Sequence, residues 1–245
     1  DGVADGPIGS LPPVGGKASG PGYRFVASDG GIFSFDQSFH GSAGNTKLAK
    51  PIVGMAATPS NNGYWLVASD GGIFSYGDAA FWGSTGNIKL AKPIVGMAAT
   101  PSGKGYWFVA SDGGIFSYGD AAFYGSMGGK PLAQPIVGMA STASGKGYWL
   151  VASDGGIFSF GDAAFHGSTG NIKLAKPIVG MDRSESGKGY RFVASDGGIF
   201  SFGDAKFHGS MGGKPLAKPI VGMARARTGD AYWLVASDGG VFSFG

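Results

Sequence analysis

The chain contains no cysteine. That excludes disulfides, thiol catalysis and cysteine-ligated metals. Charge is scarce too: 14% of the residues are Asp, Glu, Lys or Arg, against a usual quarter or so. Nineteen basic and sixteen acidic residues leave a net +3, too little for a polycation that binds nucleic acid or a membrane surface. No apolar run approaches the roughly 18 residues of a membrane span. The sequence opens on Asp1 without a leader-like segment, so any targeting peptide lies outside it. No window long enough for a helix carries helical periodicity, because Gly and Pro punctuate each one.

Glycine and aromatic residues are abundant. With 49 Gly and 13 Pro among 245 residues, the composition borders on low complexity. Yet 43% of the residues are hydrophobic and 13% aromatic, which is a core-forming composition. Glycine does not recur at every third position, so a collagen helix is excluded. These features read as an all-β protein.

An internal repeat sets the architecture. Ser-Asp-Gly-Gly places its Asp at Asp29, Asp70, Asp112, Asp154, Asp196 and Asp238, and Pro-Ile-Val-Gly-Met recurs every 42 residues from Pro51 to Pro219. One unit, Pro93 to Gln134, holds four short apolar segments beginning at Ile94, Tyr106, Ile115 and Phe123. Asp112-Gly113 between the second and third suits a two-residue type I′ hairpin. Four strands in about 42 residues match a β-propeller blade. The sequence ends after a third strand, Val241 to Phe244, and Pro7 to Ser10 reads as a worn fourth-strand motif. The expectation is one domain over 1–245, with six four-stranded blades. Residues 1–22 are a degenerate first repeat whose outer strand closes the ring by pairing with the C-terminal strands. Five blades are the alternative, since only five copies of two of the strands are clean.

The phrase GYWLVASDGGIFSYGDAAFWGS, Gly63 to Ser84, resembles the Gly-rich repeats of secreted actinobacterial proteins. More distantly it is similar to blades of tachylectin-type and quinone-dehydrogenase-type propellers. The first resemblance implies a secreted bacterial protein, and the tachylectin one implies amino-sugar binding between blades. The quinone-dehydrogenase activity needs a set of acidic and metal-ligating residues on one face. That set is absent from the sequence.

Two repeated slots could carry a ligand. With Asp70-Gly71 as a two-residue turn, Trp65 pairs with Tyr76 and Val67 with Phe74, and Trp65, Phe74, Tyr76 and Phe81 share one face. The second-strand slot holds Trp65, Trp107, Trp149 and Trp233, with Arg24 and Arg191 in two other blades. Packing between blades is its main reading, and the arginines suggest partial exposure. The outer-strand slot holds His40, Trp82, Tyr124, His166 and His208. Its changing identity suits an exposed position, where rings stack on sugars and His or Tyr adds a hydrogen bond.

Catalysis is not expected. A His with a Ser on the same short strand lacks an orienting acid and an oxyanion hole. One Asp with two Gly is a turn, not a calcium loop. Gly-Lys-Gly lacks the spacing of a phosphate loop. Interleaved Lys and Asp at both ends of the ring give no basic field, which argues against nucleic acid. The sequence therefore reads as a monomeric, secreted, non-enzymatic binding module without cofactor or metal. Its expected ligand is carbohydrate or a cell-surface glycan, and the alternative is a scaffold for protein contacts.

Overall fold

The computed structural model describes residues 22–226 and 229–245. Its strands run in chain order as β1 (Tyr23–Val26), β2 (Ile32–Phe35), β3 (Ile52–Ala57), β4 (Gly63–Ala68), β5 (Ile73–Gly77), β6 (Ile94–Ala99), β7 (Gly105–Ala110) and β8 (Ile115–Gly119). They continue as β9 (Ile136–Ser141), β10 (Gly147–Ala152), β11 (Ile157–Gly161), β12 (Ile178–Arg183), β13 (Gly189–Ala194), β14 (Ile199–Gly203), β15 (Ile220–Arg225), β16 (Tyr232–Ala236) and β17 (Val241–Phe244). Five antiparallel three-stranded sheets and one two-stranded sheet, β1-β2, form the six blades of a β-propeller. The inner strands β3, β6, β9, β12 and β15 touch in sequence around the axis. Each inner strand carries a bulge after its first residue, as between Ile52 and Gly54, which adds twist at the crowded centre.

The sequence expects a fourth strand in each blade. Among the described residues five blades pair three strands and the blade of β1 and β2 pairs two, and the Phe-x-Gly-Ser segments join no ladder but run as straps. The register also differs by one residue. Tyr64 faces Tyr76, Trp65 faces Ser75 and Leu66 faces Phe74. The cause is the turn. The Gly71 N–H donates to Ala68 O at 2.8 Å and the Ala68 N–H to Gly72 O at 2.9 Å, while Gly71 takes a φ of 79°. This is a three-residue hairpin loop with a glycine bulge, not a two-residue type I′ turn. A slip of one residue exchanges the two faces of a strand. Tyr64 and Leu66 therefore pack with Val26 and Met55 towards the preceding blade, whereas Trp65 and Val67 pack with Met97, Tyr106 and Phe108 of the next.

The Trp slot of each blade meets a tyrosine of the following one. Trp65 lies 5.7 Å from Tyr106, Trp107 5.7 Å from Tyr148 and Trp149 5.6 Å from Tyr190. Arg24 and Arg191 stand over Tyr64 and Tyr232 at 5.5 and 5.0 Å. Trp233 then meets Tyr23 at 5.7 Å. That last contact brings the final blade onto the first, and Phe25 clusters there with Ala224, Trp233 and Val235. Six blades thus form a continuous ring of interfaces. The expected pairing of residues 1–10 with the C-terminal strands lies outside the described residues.

Backbone bonds also cross between blades. The Ile94 N–H donates to Ser69 O at 2.8 Å, and the Ser69 N–H donates to Pro51 O at 2.9 Å. The serine of Ser-Asp-Gly-Gly thereby links its own inner strand to the next. Asp70 Oδ1 accepts the Gly72 N–H at 2.9 Å, the turn role expected of it.

Candidate functional site

The strap between consecutive blades carries the outer-strand slot. Its polar backbone groups find side chains in place of a strand partner. Trp65 Nε1 donates to Ala80 O at 2.7 Å, Trp107 Nε1 to Ala122 O at 2.8 Å and Trp149 Nε1 to Ala164 O at 2.8 Å. The arginines repeat the bond with Nε, Arg191 to Lys206 O at 2.8 Å and Arg24 to Ser38 O at 3.0 Å. Trp and Arg are therefore interchangeable here for a physical reason. Both are planar, both donate one N–H to the same carbonyl, and both lie against the next tyrosine.

That tyrosine latches the strap from the other side. The Tyr106 hydroxyl accepts the Trp82 N–H at 3.1 Å and donates to Gly83 O at 2.7 Å. Tyr64, Tyr148, Tyr190 and Tyr232 make the same two bonds to His40 and Gly41, Tyr124 and Gly125, His166 and Gly167, and His208 and Gly209. Burial pushes the hydroxyl pKa of all five upwards, so each stays protonated as a donor. Gly83 is needed where it stands, since it has a φ of 139° and a Cβ there would come within 2.3 Å of the Tyr118 ring. A second anchor holds the start of the strap. Asp78 accepts from Thr58 at 2.8 Å and from Ser60 at 2.5 Å. Asp120, Asp162 and Asp204 repeat this arrangement.

The two predicted slots end in different places. Trp65, Trp107 and Trp149 are fully buried and Trp233 nearly so, which makes them the interface core. The arginines do not open the slot to solvent as expected. Arg191 is 0% exposed, and its charge is matched by Asp230 at 3.3 Å. Arg24 reaches Asn61 Oδ1 at 2.6 Å. The outer slot does lie in the groove between blades. Trp82 is 37% exposed, His208 is exposed, and His40, Tyr124 and His166 are half-buried. Each of the histidines and Tyr124 rests on the latch tyrosine, as His166 does on Tyr190 at 5.5 Å. Tyr124 also donates to Gly145 O at 3.2 Å.

Sequence reasoning placed Phe81 inside the blade. It is outside. Phe39, Phe81, Phe123, Phe165 and Phe207 are 60–63% exposed, each one residue before the slot. Successive side chains of an extended segment point opposite ways, so a slot residue resting on tyrosine turns its neighbour to solvent. The signal was in the strap motif, which begins with Phe in every one of these copies. The latch tyrosines were missed as well, although Tyr stands at that position in six blades while the residue after it varies.

Among the described residues, no histidine ring is hydrogen-bonded to a serine or a carboxylate, and no group of three His, Asp or Glu is placed to hold a metal. The arrangement offers stacking faces and hydrogen-bonding groups along repeated grooves.

In architecture the chain is similar to the crystal structure of the β-propeller domain of Cps50 (Swd1) from Myceliophteria thermophila. The TM-score is 0.56 at 11% identity, over 97% of this chain and 84% of that one. At such identity the likeness concerns the fold. No protein-family model and no curated protein matches the chain.

Proposed function

We propose that the protein is a non-enzymatic, multivalent binding module whose inter-blade grooves take carbohydrate. One observation supports this reading above others: an exposed Phe recurs beside a slot ring at each of the five described straps. Sugars present apolar C–H faces that stack on such rings, and weak equivalent sites gain strength by acting together. The groove of Trp82 offers the widest stacking surface. Its neighbour at Tyr124 adds a phenol, and those at His40, His166 and His208 add imidazoles. In this reading the module works outside the cell, as a monomer facing a glycan surface; the resemblance of the repeats to those of secreted bacterial proteins supports the location.

The five exposed strap phenylalanines also suit protein contacts, where aromatic anchors dominate. The two readings separate experimentally. A glycan array followed by titration calorimetry on the wild type and the Phe81→Ala/Trp82→Ala double variant tests the first. Sugar binding that weakens in the double variant supports it. An array without hits at millimolar sensitivity removes it and leaves the scaffold reading.

A further inference from the structure

Charges interleave at both ends of the ring along the sequence, yet the two ends do not balance alike. The Ser-Asp-Gly-Gly turns share one end with the loops that lead from each strap into the next inner strand. Thr85 Oγ1 donates to Asp70 O at 2.9 Å and Thr169 Oγ1 to Asp154 O at 3.0 Å, and the Met127 N–H donates to Gly113 O at 3.0 Å. The five described loops, residues 44–51, 86–93, 128–135, 170–177 and 212–219, hold nine lysines and face six turn aspartates. The described charged residues elsewhere are eight of each sign. An excess of three positive charges therefore stands at this one end. Of the charged residues outside the described ones, Asp1, Asp5, Lys17 and Arg227, the two acids can cancel at most two of the three.

The two signs are also presented differently. All nine lysines are exposed, and among the described residues none forms an ion pair. Four of the six aspartates are half-buried, and each lends an oxygen to its own turn, as Asp112 does to the Gly114 N–H at 2.9 Å. Leu48, Leu90 and Leu174 pack inward against the blade cores, and the lysine before each of them, Lys47, Lys89 and Lys173, turns out to solvent. In two of these loops an isoleucine stands beside that lysine and is exposed as well, Ile88 by 57% and Ile172 by 59%. A cleft between Lys50 and Lys92 has Ile88 and Leu90 in its wall, so cations and apolar groups meet in one place. The opposite end holds the loops of Lys104 and Lys146, whose carbonyls accept the Asp120 and Asp162 N–H groups at 3.0 Å.

We propose that the lysine-rich end of the propeller docks on an anionic lipid surface and leaves the rim grooves free at the side. The lysines meet headgroup phosphates, while Ile88 and Ile172 dip into the boundary between headgroups and acyl chains. Near such a surface each lysine tightens binding by about 5-fold, and the recessed turn carboxylates offset only part of that. A soluble acidic polymer would engage the lysines alike but would have no use for the isoleucines, so their pairing favours a bilayer.

Co-sedimentation of the full chain with vesicles tests this, comparing phosphatidylcholine alone with phosphatidylcholine mixed with phosphatidylglycerol. Binding to the mixed vesicles is expected at low ionic strength and should fall in high salt. Phosphatidylcholine alone should bind at least ~10-fold more weakly. Lys89→Glu/Lys173→Glu should cost at least ~10-fold on the mixed vesicles. Ile88→Ser/Ile172→Ser leaves the charge unchanged and should cost ~3-fold or more. Lys104→Glu/Lys146→Glu makes the same change of charge at the opposite end and should have little effect, and each variant is checked for a native circular dichroism spectrum. The proposal is overturned if the mixed vesicles do not bind the protein, if they bind it no better than phosphatidylcholine, or if the two lysine pairs matter equally. Vesicle binding that ignores the isoleucines, with polygalacturonate bound through Lys89 and Lys173, would assign this end to an acidic polymer and overturn the lipid assignment.

Discussion

The guanidinium of Arg191 lies 5.0 Å above the ring of Tyr232, in the place where Trp149 meets Tyr190 one blade earlier. It keeps the tryptophan's bond to the strap and adds a charge that Asp230 neutralises. Removing one partner of a buried pair strands the other. Arg191→Ala should therefore cost about 3–5 kcal/mol in urea unfolding. Arg191→Trp should recover most of that, because indole supplies the planar contact and the N–H. Equal losses in the two variants would show that the charge, not the shape, matters at this slot.

The tyrosine latch predicts a different signature. Tyr106→Phe keeps the ring but removes the partner of the Trp82 N–H and of Gly83 O. Leaving such groups unsatisfied costs about 1–3 kcal/mol. Hydrogen exchange at the Trp82 amide should accelerate more than exchange in β7. Uniform acceleration across the blade would mean that the latch is not a local device.

Packing and binding should separate between the two aromatic slots. Trp107→Ala removes a fully buried ring and should destabilise by about 3–5 kcal/mol. Phe81→Ala and Trp82→Ala act at the rim and should each move stability by less than about 1 kcal/mol while weakening sugar binding. A large stability loss with ligand affinity intact would make the rim slot structural.

The strap anchor gives a pH dependence of known sign. Hydrogen bonds from Ser186 and Ser184 hold the Asp204 carboxyl below the ordinary carboxylate value of 3.8. The folded state therefore favours the ionised form. The stabilisation is complete above the ordinary value and is lost as pH falls through the lowered one. Burial pushes Asp182 the opposite way, so the comparison must be wild type against Asp204→Asn. Urea midpoints for the two proteins should differ at pH 7 and converge in strong acid. A gap that persists at low pH would assign the effect to packing.

The sequence by itself determined the period, the position and order of three strands per blade, the turn role of Asp70 and its equivalents, and a ring of six such units. These follow from local chemistry: apolar segments of strand length and glycines where the backbone must turn, repeated every 42 residues. Tertiary structure decided the rest. Register hung on whether Asp70-Gly71 turned in two residues or three, and that single step moved Trp65 to the face opposite Phe74 and Tyr76. The outer segment looked like a strand because it is short, aromatic and bounded by turn residues. Its hydrogen bonds go to Trp65 and Tyr106, residues of two different blades, so no window within one repeat could have revealed a strap. The exposure of Phe81 and the burial of Arg191 follow from that strap and from the neighbouring blade. Asp182 and Arg183 lie in one repeat and Arg225 in the next, and along the chain they look like incidental substitutions. Packing of the neighbouring inner strands β12 and β15 brings them together at the axis.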